Sequence, residues 1–581
     1  MGNDYAFKTK DKGYKMSEQS GFRIHLLITD AKRKNVIIKK ENGKIELPSV
    51  IFKTEGWFWS AALLNEIAEL AKTETGILQH FLREISIHKF DCLCDMEMLS
   101  DLKSLDQKYS YENISVLEGI ALENDIVKEK LSDYYRSNFP VHPLRPEWEK
   151  HGWFKNTVKK IEKAIVKNKY SLSGEIRKVK SFSGGVIIEI PVGEKKNLFY
   201  KMSLSKGLIE PRVLKNISKK FPDNVAEIVS ANYKAGWMIM KEFKREYVFE
   251  IKDIKLQKKK AKQIIKNFAD LQIEFSKDIE KWKKQNAVFL PDIKIYEEFK
   301  KLLKDKNALK SGTDPICDDD IMLMKGFLPE LKLKCEKLSE YNIPYSIVHE
   351  DFRSDHIALD GKKTIFYDWA DTVLSHPFFS VNRYIDFMGI PDCSERFDHE
   401  FNDPEDDYRR LVRDSYLKQF RVFETPKRLK EAFTLCRDLN YFYLALRWYR
   451  YSFLYETSDL ELGSVRDELR RIAGYIKHLK GYRIESVTLD DSELQKFCGE
   501  FWCERTNLTR KIYLKNGKLF YFRNDESRSR LVPISDTQLK MVTDVDNQFD
   551  FNLVDGKWQF TFEIKGDEPS ISLFVPKTAD G

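Results

Sequence analysis

The chain has 581 residues, enough for roughly three or four domains at about 150 residues per domain. Its charged fraction of 33% is ordinary for globular domains, and its net charge of +8, with Lys interleaved among Asp and Glu, does not indicate a nucleic-acid partner. There is no uncharged apolar run of about 18 residues and no signal-peptide core, and the eight cysteines are scattered, so we expect a cytoplasmic protein with free thiols and no membrane contact.

The first region, residues 21–145, is predicted to be an α/β domain that follows a polar tail over residues 1–20. Two runs of strand composition, 22–28 and 35–40, precede a segment with helical periodicity at 61–71. This order, with a Leu-Pro pair between strands and helix, resembles a Nudix domain.

The metal-binding signature of that family is incomplete in this chain. Glu66 and Glu69 lie on the predicted helix, but the Arg, the second Glu of the pair and the Gly of the Nudix pattern are missing. Glutamates clustered on a helix make a magnesium site, whereas two scattered ones are typical of a solvated face. We therefore expect a Nudix-like domain without hydrolase activity.

The second region follows a proline-rich linker at 140–146, and its residues 151–245 have the order of a small kinase lobe. Gly184 and Gly185 fall between two strand-like runs, where backbone N–H groups can approach phosphate oxygens. A Gly-Gly pair also makes plain hairpins, so this pattern alone leaves both interpretations open.

Lys201 lies in an apolar, strand-like run, where a lysine is costly unless it is paired. Nine residues later Glu210 opens a helix that has Pro211 in its first turn. A strand lysine and a helix glutamate are the pair that clamps the α/β-phosphates of ATP in kinases. A strand-edge lysine with a solvated head is the alternative. Met240 lies in the apolar, strand-like run that closes the lobe. It either neighbours a hinge that binds adenine or is an ordinary core residue.

The most informative stretch, 348–357, lies in a predicted mainly helical lobe over residues 246–480. Its His-x-Asp turn contains Asp351, and a second aspartate, Asp368, follows seventeen residues later. This spacing suits phosphoryl transfer from ATP, because one carboxylate can accept the proton of an attacking hydroxyl while the other holds magnesium.

At His349, Asp351, Asp368 and Trp369 the chain resembles the aminoglycoside phosphotransferase-like kinases, whose pattern is His-Gly-Asp, four residues, Asn, and later Ile-Asp-Trp. The resemblance implies a bilobal kinase-like fold, ATP and Mg²⁺ as cofactors, and a small-molecule hydroxyl as acceptor. It also implies that His349 braces the catalytic turn, that Asp351 is the base and that Asp368 binds the metal.

The chain departs from that pattern at His356, which replaces the metal-binding Asn. If His356 is a second metal ligand, Mn²⁺ becomes an alternative to Mg²⁺, because imidazole suits transition metals better. Otherwise His356 marks a lost metal site in a catalytically impaired, kinase-like module that binds a nucleotide or another ligand.

An acidic stretch over residues 398–407 would suit a cationic acceptor such as an amino alcohol or amino sugar, although a solvated loop is the alternative. Arg447 and Arg450 interrupt an aromatic helix predicted at 441–455 and could pair with this stretch. No Phe-Gly follows Asp368 and no Ala-Pro-Glu segment is present, which favours a small-molecule acceptor over a protein.

The third region, residues 482–581, has short strand-like runs at regular intervals. Asn516-Gly517 between two alternating runs is a strong hairpin signal, and the pattern predicts an antiparallel barrel or sandwich. The segment 493–502 resembles the lipocalin-like domain at the C-terminus of some serine β-lactamase-like hydrolases. We expect a binding or packing module here. The sequence as a whole therefore predicts an α+β multidomain chain, and it does not predict the oligomeric state.

Overall fold

The structure is a computed structural model of the chain. It describes residues 22–41, 43–52, 63–76, 79–88, 91–99, 102–182, 184–194, 196–204, 210–285, 287–312, 315–386, 407–454, 458–482, 484–503, 508–522, 528–542, 548–564 and 570–577. The predicted mixture of helices and strands is confirmed, since two large sheets, a mainly helical region and a closed barrel follow one another along the chain, whereas the predicted domain boundaries stay a prediction.

The N-terminal region is a mixed sheet with two helices. Its elements are β1 (Phe22–Thr29), β2 (Asn35–Glu41), β3 (Lys44–Glu46), β4 (Ser49–Phe52), α1 (Leu63–Thr75), β5 (Gln79–His88), β6 (Asp91–Met98), β7 (Tyr109–Asn113) and α2 (Asp125–Arg136). Within the sheet the strands lie in the order β3-β2-β1-β6-β5, and β1 and β6 are parallel to each other. The apolar run of β1 is continuous because its two faces pack into two different cores, Ile24, Leu26 and Ile28 into one and Leu27 into the other.

The Nudix resemblance of this region stays a prediction. Helix α1 packs Ile67 and Ala71 into the core, whereas Glu69 is exposed. The side chain of Glu66 lies outside the described residues.

The small lobe that follows is a five-stranded antiparallel sheet with a helix on each side. Its elements are α3 (Trp153–Lys167), β8 (Arg177–Phe182), β9 (Gly185–Pro191), β10 (Asn197–Ser203), α4 (Glu210–Lys220), β11 (Ile228–Asn232) and β12 (Trp237–Lys241). The strand order is β11-β12-β10-β9-β8, so β10 is central. Ile161 and Ile165 of α3 pack on this sheet, while Val213 and Ile217 of α4 join the core of the next lobe.

The large lobe is mainly helical and contains two short ladders. Its helices are α5 (Ile254–Ser276), α6 (Ile279–Lys283), α7 (Asp292–Leu302), α8 (Lys306–Lys310), α9 (Asp318–Leu338), α10 (Phe378–Asp386), α11 (Asp407–Leu417), α12 (Pro426–Ser452) and α13 (Ser458–Leu479). Its strands are β13 (Ser346–His349), β14 (Ile357–Asp360), β15 (Lys363–Phe366) and β16 (Thr372–Ser375), paired β13 with β16 and β14 with β15. The helix predicted at 441–455 falls in the second half of α12, which ends at Ser452, and residue 455 lies outside the described residues.

The β14–β15 hairpin joins the two lobes. The backbone groups of Leu359 and Glu246 bond in both directions, at 2.8 and 3.4 Å, where the chain leaves the small lobe. The amide of buried Asn224 donates to the carbonyl of Thr364 at 2.8 Å. The cleft between the lobes is therefore bounded by a hairpin that belongs to one lobe and bonds to the other.

The C-terminal region is a closed antiparallel barrel, which confirms that prediction. It consists of α14 (Asp491–Gln495), β17 (Gly499–Cys503), β18 (Leu508–Lys515), β19 (Lys518–Phe522), β20 (Arg528–Pro533), β21 (Gln538–Met541), β22 (Gln548–Val554), β23 (Lys557–Ile564) and β24 (Ser570–Pro576). Asn516 and Gly517 have φ of 51° and 68°, as a tight hairpin requires. Buried rings of Phe549, Phe551 and Phe560 pack against one another inside.

Two further observations concern the chain as a whole. None of the described helices combines the length and apolarity needed to cross a membrane. None of the seven cysteines that the structure describes is in a disulfide.

Candidate active site

The predicted lysine–glutamate pair forms, and it includes Asp368. Lys201 lies on the central strand β10, and its Nζ is 2.7 Å from Glu210 Oε1 and 2.5 Å from Asp368 Oδ1. Glu210, at the start of α4, also accepts bonds from Ser203 Oγ at 3.0 Å and from the backbone N–H of Trp369 at 3.1 Å. The side chain of Glu210 is thus held by Ser203 and by the backbone of Trp369, and it in turn holds Lys201 beside Asp368.

Lys201 and Asp368 each stabilise the charged form of the other. Burial alone would lower the pKa of Lys201, but the carboxylates of Asp368 and Glu210 outweigh it, so the pKa is raised and the lysine is cationic. Burial alone would raise the pKa of Asp368, but Lys201 and His356 lower it well below its usual range. Asp368 has φ of 64°, in the left-handed region, and its side chain is 37% exposed, so it can reach a ligand.

His349 ties the catalytic turn to the strand that follows it. It is fully buried; its Nε2 donates to the carbonyl of Tyr367 at 2.9 Å, and its Nδ1 accepts from the N–H of Asp351 at 3.3 Å. Burial and the neighbouring His356 lower the pKa of His349 to about 4, so the ring is neutral at neutral pH. This geometry suits a bracing role.

His356 lies between the two aspartates. Its Nδ1 is 2.7 Å from the carbonyl oxygen of Asp351, and because a carbonyl only accepts, this nitrogen carries the proton. In the neutral ring Nε2 is then an acceptor, and it faces Asp368 Oδ2 at 3.8 Å. When the ring is neutral, a cation can lie between these two acceptors; when it is protonated, Nε2 donates towards Asp368 and adds positive charge that lowers the pKa of that carboxyl.

Asp351 has cationic neighbours that were not predicted from the sequence. Its Oδ1 lies 3.3 Å from Arg383 Nη2 and 3.6 Å from Arg447 Nη2. Burial would raise the pKa of Asp351, but Arg447, His356 and the other arginines hold it well below the usual range. The carboxylate is therefore ionised at any physiological pH.

The arginines of α12 pair with the catalytic segments. Arg447 Nη2 bonds to Asp371 Oδ2 at 2.6 Å, and Arg450 forms an ion pair with buried Glu350. The expectation that these arginines pair with the acidic stretch 398–407 stays a prediction, because residues 398–406 lie outside the described part of the chain. Of that stretch only Asp407 is described, and it pairs with Lys258.

A single cavity of about 280 Å³ brings the predicted residues together. The small lobe contributes Gly184, Gly185, Lys201, Glu210 and Met240, and the large lobe contributes Asp351, His356 and Asp368. Of the predicted site residues only His349 is not part of the lining. Ser183, beside the glycine pair, lies outside the described residues.

The same cavity is lined by residues that the sequence analysis did not select. Lys180 of β8 lies close enough to Asp368 to lower its pKa, and Arg353, Asp371, Arg447, Trp448 and Tyr451 line the large-lobe wall. A lysine three residues before a glycine-containing turn was the only available signal for Lys180. Arg383 and Arg447 lie 15 and 79 residues beyond Asp368, and their convergence on Asp351 depends on helix packing.

Comparison with known proteins gives a likeness of fold only. No protein-family model matches the chain, and no curated protein matches it. Similar solved structures include a macrolide 2'-phosphotransferase type I (11% identity, 54% of this chain and 97% of that one, TM-score 0.36), the choline kinase of Cryptosporidium parvum Iowa II (13%, 56% and 99%, 0.35) and an ethanolamine kinase of Plasmodium vivax (13%, 61% and 96%, 0.36). At these identities and TM-scores the likeness carries no weight for function, which rests on the site itself.

Proposed function

We propose that this chain transfers the γ-phosphoryl group of ATP to a hydroxyl group of a small molecule. The observation that carries the proposal is the shared cavity, in which the Lys201–Glu210 pair, Asp351 and Asp368 all meet. Phosphoryl transfer needs little covalent chemistry from the protein and depends on positioning and on charge stabilisation. An ATP-dependent enzyme with free thiols suits the cytoplasm, the compartment expected from the sequence.

The transfer step assigns one task to each residue. Asp351 accepts the proton of the acceptor hydroxyl while that oxygen forms a bond to the γ-phosphorus. The bond from this phosphorus to the β,γ-bridging oxygen breaks, and ADP leaves. Lys201, held by Glu210, grips the α/β-phosphates, and Gly184 and Gly185 let the backbone approach them. Met240, at the end of β12, neighbours the adenine.

The residues present fit a divalent cation bound together with a nucleotide. Mg²⁺ is commonly held by one or two carboxylates plus phosphates and water, and Asp368 offers a carboxylate that lines the cavity. In its neutral form His356 would offer Nε2, which faces Asp368, as a second metal ligand, and an imidazole ligand favours Mn²⁺ as an alternative. The bound metal would neutralise phosphate charge.

The alternative is a catalytically impaired, kinase-like module that binds a nucleotide or another ligand. Two observations favour it: His356 replaces the metal-binding Asn, and Oδ1 of Asp351 is engaged by Arg383 and Arg447. A cationic amino alcohol or amino sugar as acceptor would also meet these guanidinium groups, so we do not adopt a cationic acceptor.

ATP binding and turnover test the proposal. We expect the full chain to bind ATP with Mg²⁺ or Mn²⁺ and to hydrolyse it slowly without an acceptor. Lys201→Ala and Asp368→Ala should each lower turnover on the order of 10²–10³-fold, the usual effect of removing one preorganised charge contact.

Lys196→Ala and Asp360→Ala are matched controls, because Lys196 is exposed just before β10 and Asp360 lies at the tip of the β14–β15 hairpin. Both controls should turn over ATP like the wild type. If ATP binds but neither metal supports turnover, the hypothesis of a catalytically impaired binding module is correct and the proposed enzyme activity is wrong. If ATP does not bind at all, both nucleotide readings fail.

A further inference from the structure

The cations around Asp351 come from three separate elements. Arg353 follows the catalytic turn, Arg383 is in α10 and Arg447 is in α12. Arg353 is paired with Asp355, two residues further along the chain, whereas Arg383 and Arg447 both contact Asp351. Two guanidinium groups therefore share the carboxylate that has to receive the acceptor hydroxyl.

Arg447 has a donor that the protein does not use. It is 4% exposed, lines the cavity, and its Nη2 bonds to Asp371. Its buried Nε has no acceptor among the residues that the structure describes. The guanidinium carbon lies 5.2 Å from the ring centre of Trp448 and 5.5 Å from that of Tyr451, which also line the cavity. A buried, aromatic-backed guanidinium with an unmet donor is a receptor for an oxyanion.

We infer that the acceptor is an anion, a small molecule that carries a carboxylate or phosphate group near its reacting hydroxyl, and that this group binds Arg447 in the cavity. The inference rests on the proposed function, because it assigns the substrate class of the same cavity. Carboxylate and phosphate share the planar, two-point match to a guanidinium fork, so both are included.

The charge pattern explains why an anion suits this site. In the absence of acceptor, Arg383 and Arg447 use Asp351 as a counter-ion at 3.3 and 3.6 Å, longer than most charge-assisted bonds. An acceptor with its own anionic group supplies Arg447 with a counter-ion in addition to Asp371 and leaves Asp351 to the hydroxyl. A cationic acceptor would meet the like charge of Arg447 and find the carboxylate of Asp351 occupied.

Two matched series of small molecules separate charge from shape. The first is glycerol, glycerol 3-phosphate, glycerate and 3-amino-1,2-propanediol; the second is glucose, glucose 6-phosphate, glucuronate and glucosamine. Binding to the full chain is measured by calorimetry with ADP and Mg²⁺ present. In at least one series an anionic member should bind about 10-fold or more tightly than its neutral and cationic analogues, the size expected of one charge-assisted contact. The phosphate and carboxylate arms identify which anion is preferred.

Variants at Arg447 test where the preference arises. Arg447→Gln should abolish the preference for the anion over its neutral analogue, and Arg447→Lys, which keeps the charge but loses the fork, should retain only part of it. Arg437→Gln is the matched control: Arg437 is on the same helix, 6% exposed and paired with Asp386 at 2.8 Å, but it does not line the cavity. It should leave the preference unchanged.

Neutral or cationic members that bind as tightly as the anions in both series would overturn the inference, as would an anion preference that survives Arg447→Gln and Arg447→Lys. Binding of ATP with Mg²⁺ is measured on the same preparations. A wild-type chain that does not bind ATP with Mg²⁺ would refute the proposed function. The anion preference and its dependence on Arg447 are measured separately from ATP binding, so the two failures can be distinguished.

Discussion

His356 lies between two carboxylates, and in its neutral form it would present an unprotonated Nε2 to Asp368. Magnesium prefers oxygen ligands, and manganese accepts imidazole more readily. We expect His356→Asn to shift the ratio of manganese-supported to magnesium-supported turnover towards magnesium, on the order of 10-fold, the usual effect of altering a metal's surroundings. Steady-state kinetics with each metal measure this ratio. Equal ratios in the two proteins would show that His356 does not contact the metal.

A second buried histidine predicts how stability depends on pH. His376 is 1% exposed, its Nδ1 lies 3.3 Å from Cys436 Sγ, and burial lowers its pKa to about 3. Since the unfolded value is about 6.5, the unfolded state binds the extra proton between these pH values, and stability falls as the pH drops below 6.5. At pH 5 this histidine should cost about 2 kcal/mol.

His376→Gln should therefore lose less stability than the wild type between pH 7 and pH 5, whatever its stability at pH 7. Thermal unfolding at both pH values measures the difference. His142→Gln, at an exposed position, is the control and should behave like the wild type. An unchanged pH dependence in His376→Gln would mean that this imidazole is not held neutral by burial.

At the residue scale, charged site residues whose partners lie nearby in the sequence were predicted, and those whose partners are distant in the sequence were not. Lys201 and Glu210 are nine residues apart, and Asp351 and Asp368 belong to one turn-and-hairpin segment, so local pattern was informative. Arg383 and Arg447 reach Asp351 only through the packing of α10 and α12. No periodicity in either helix records which carboxylate an arginine will face.

At the scale of elements, the barrel depends on a filled aromatic core. Phe560 is fully buried and contacts Phe501, Phe551 and Phe574. Phe560→Ala should destabilise the barrel by about 3–5 kcal/mol, the cost of a large buried deletion. Leu553→Ala, at a side chain 58% exposed on β22, should cost far less. Calorimetric unfolding of both variants measures the contrast, and equal losses would contradict a packed interior.

The barrel also shows which elements a sequence predicts well. Alternating runs and the Asn516-Gly517 turn determine strands and a hairpin locally, so the barrel was predicted. Helix limits are harder to predict: the apolar residues of the lysine-rich stretch 255–284 follow helical spacing, but the stretch divides into α5 and α6 because a turn at Lys277 and Asp278 interrupts it. The mixed order of the N-terminal sheet, with its parallel β1–β6 pair, depends on contacts that a linear pattern does not contain.

At the scale of the whole molecule, the N-terminal region is attached to the small lobe by buried polar contacts. Glu97 at the end of β6 accepts the N–H of Gly152 at 2.9 Å, just before α3, and His151 lies 3.7 Å from the fully buried Asp95. Burial raises the pKa of Glu97. This contact holds Gly152, the residue just before the start of α3, against the N-terminal region.

The β14–β15 hairpin has a consequence for how such a chain can change over generations. The twenty residues from His349 to Asp368 contain both the predicted catalytic aspartates and the strands that bond to the small lobe at Glu246 and Asn224. The chemistry and the joint between lobes are therefore inherited as one piece, and recombination cannot exchange one without the other. Substitutions in this segment must preserve both the predicted catalytic aspartates and the contacts between the lobes. The hairpin tip at Asp360 and Gly361 is a place where insertions can accumulate.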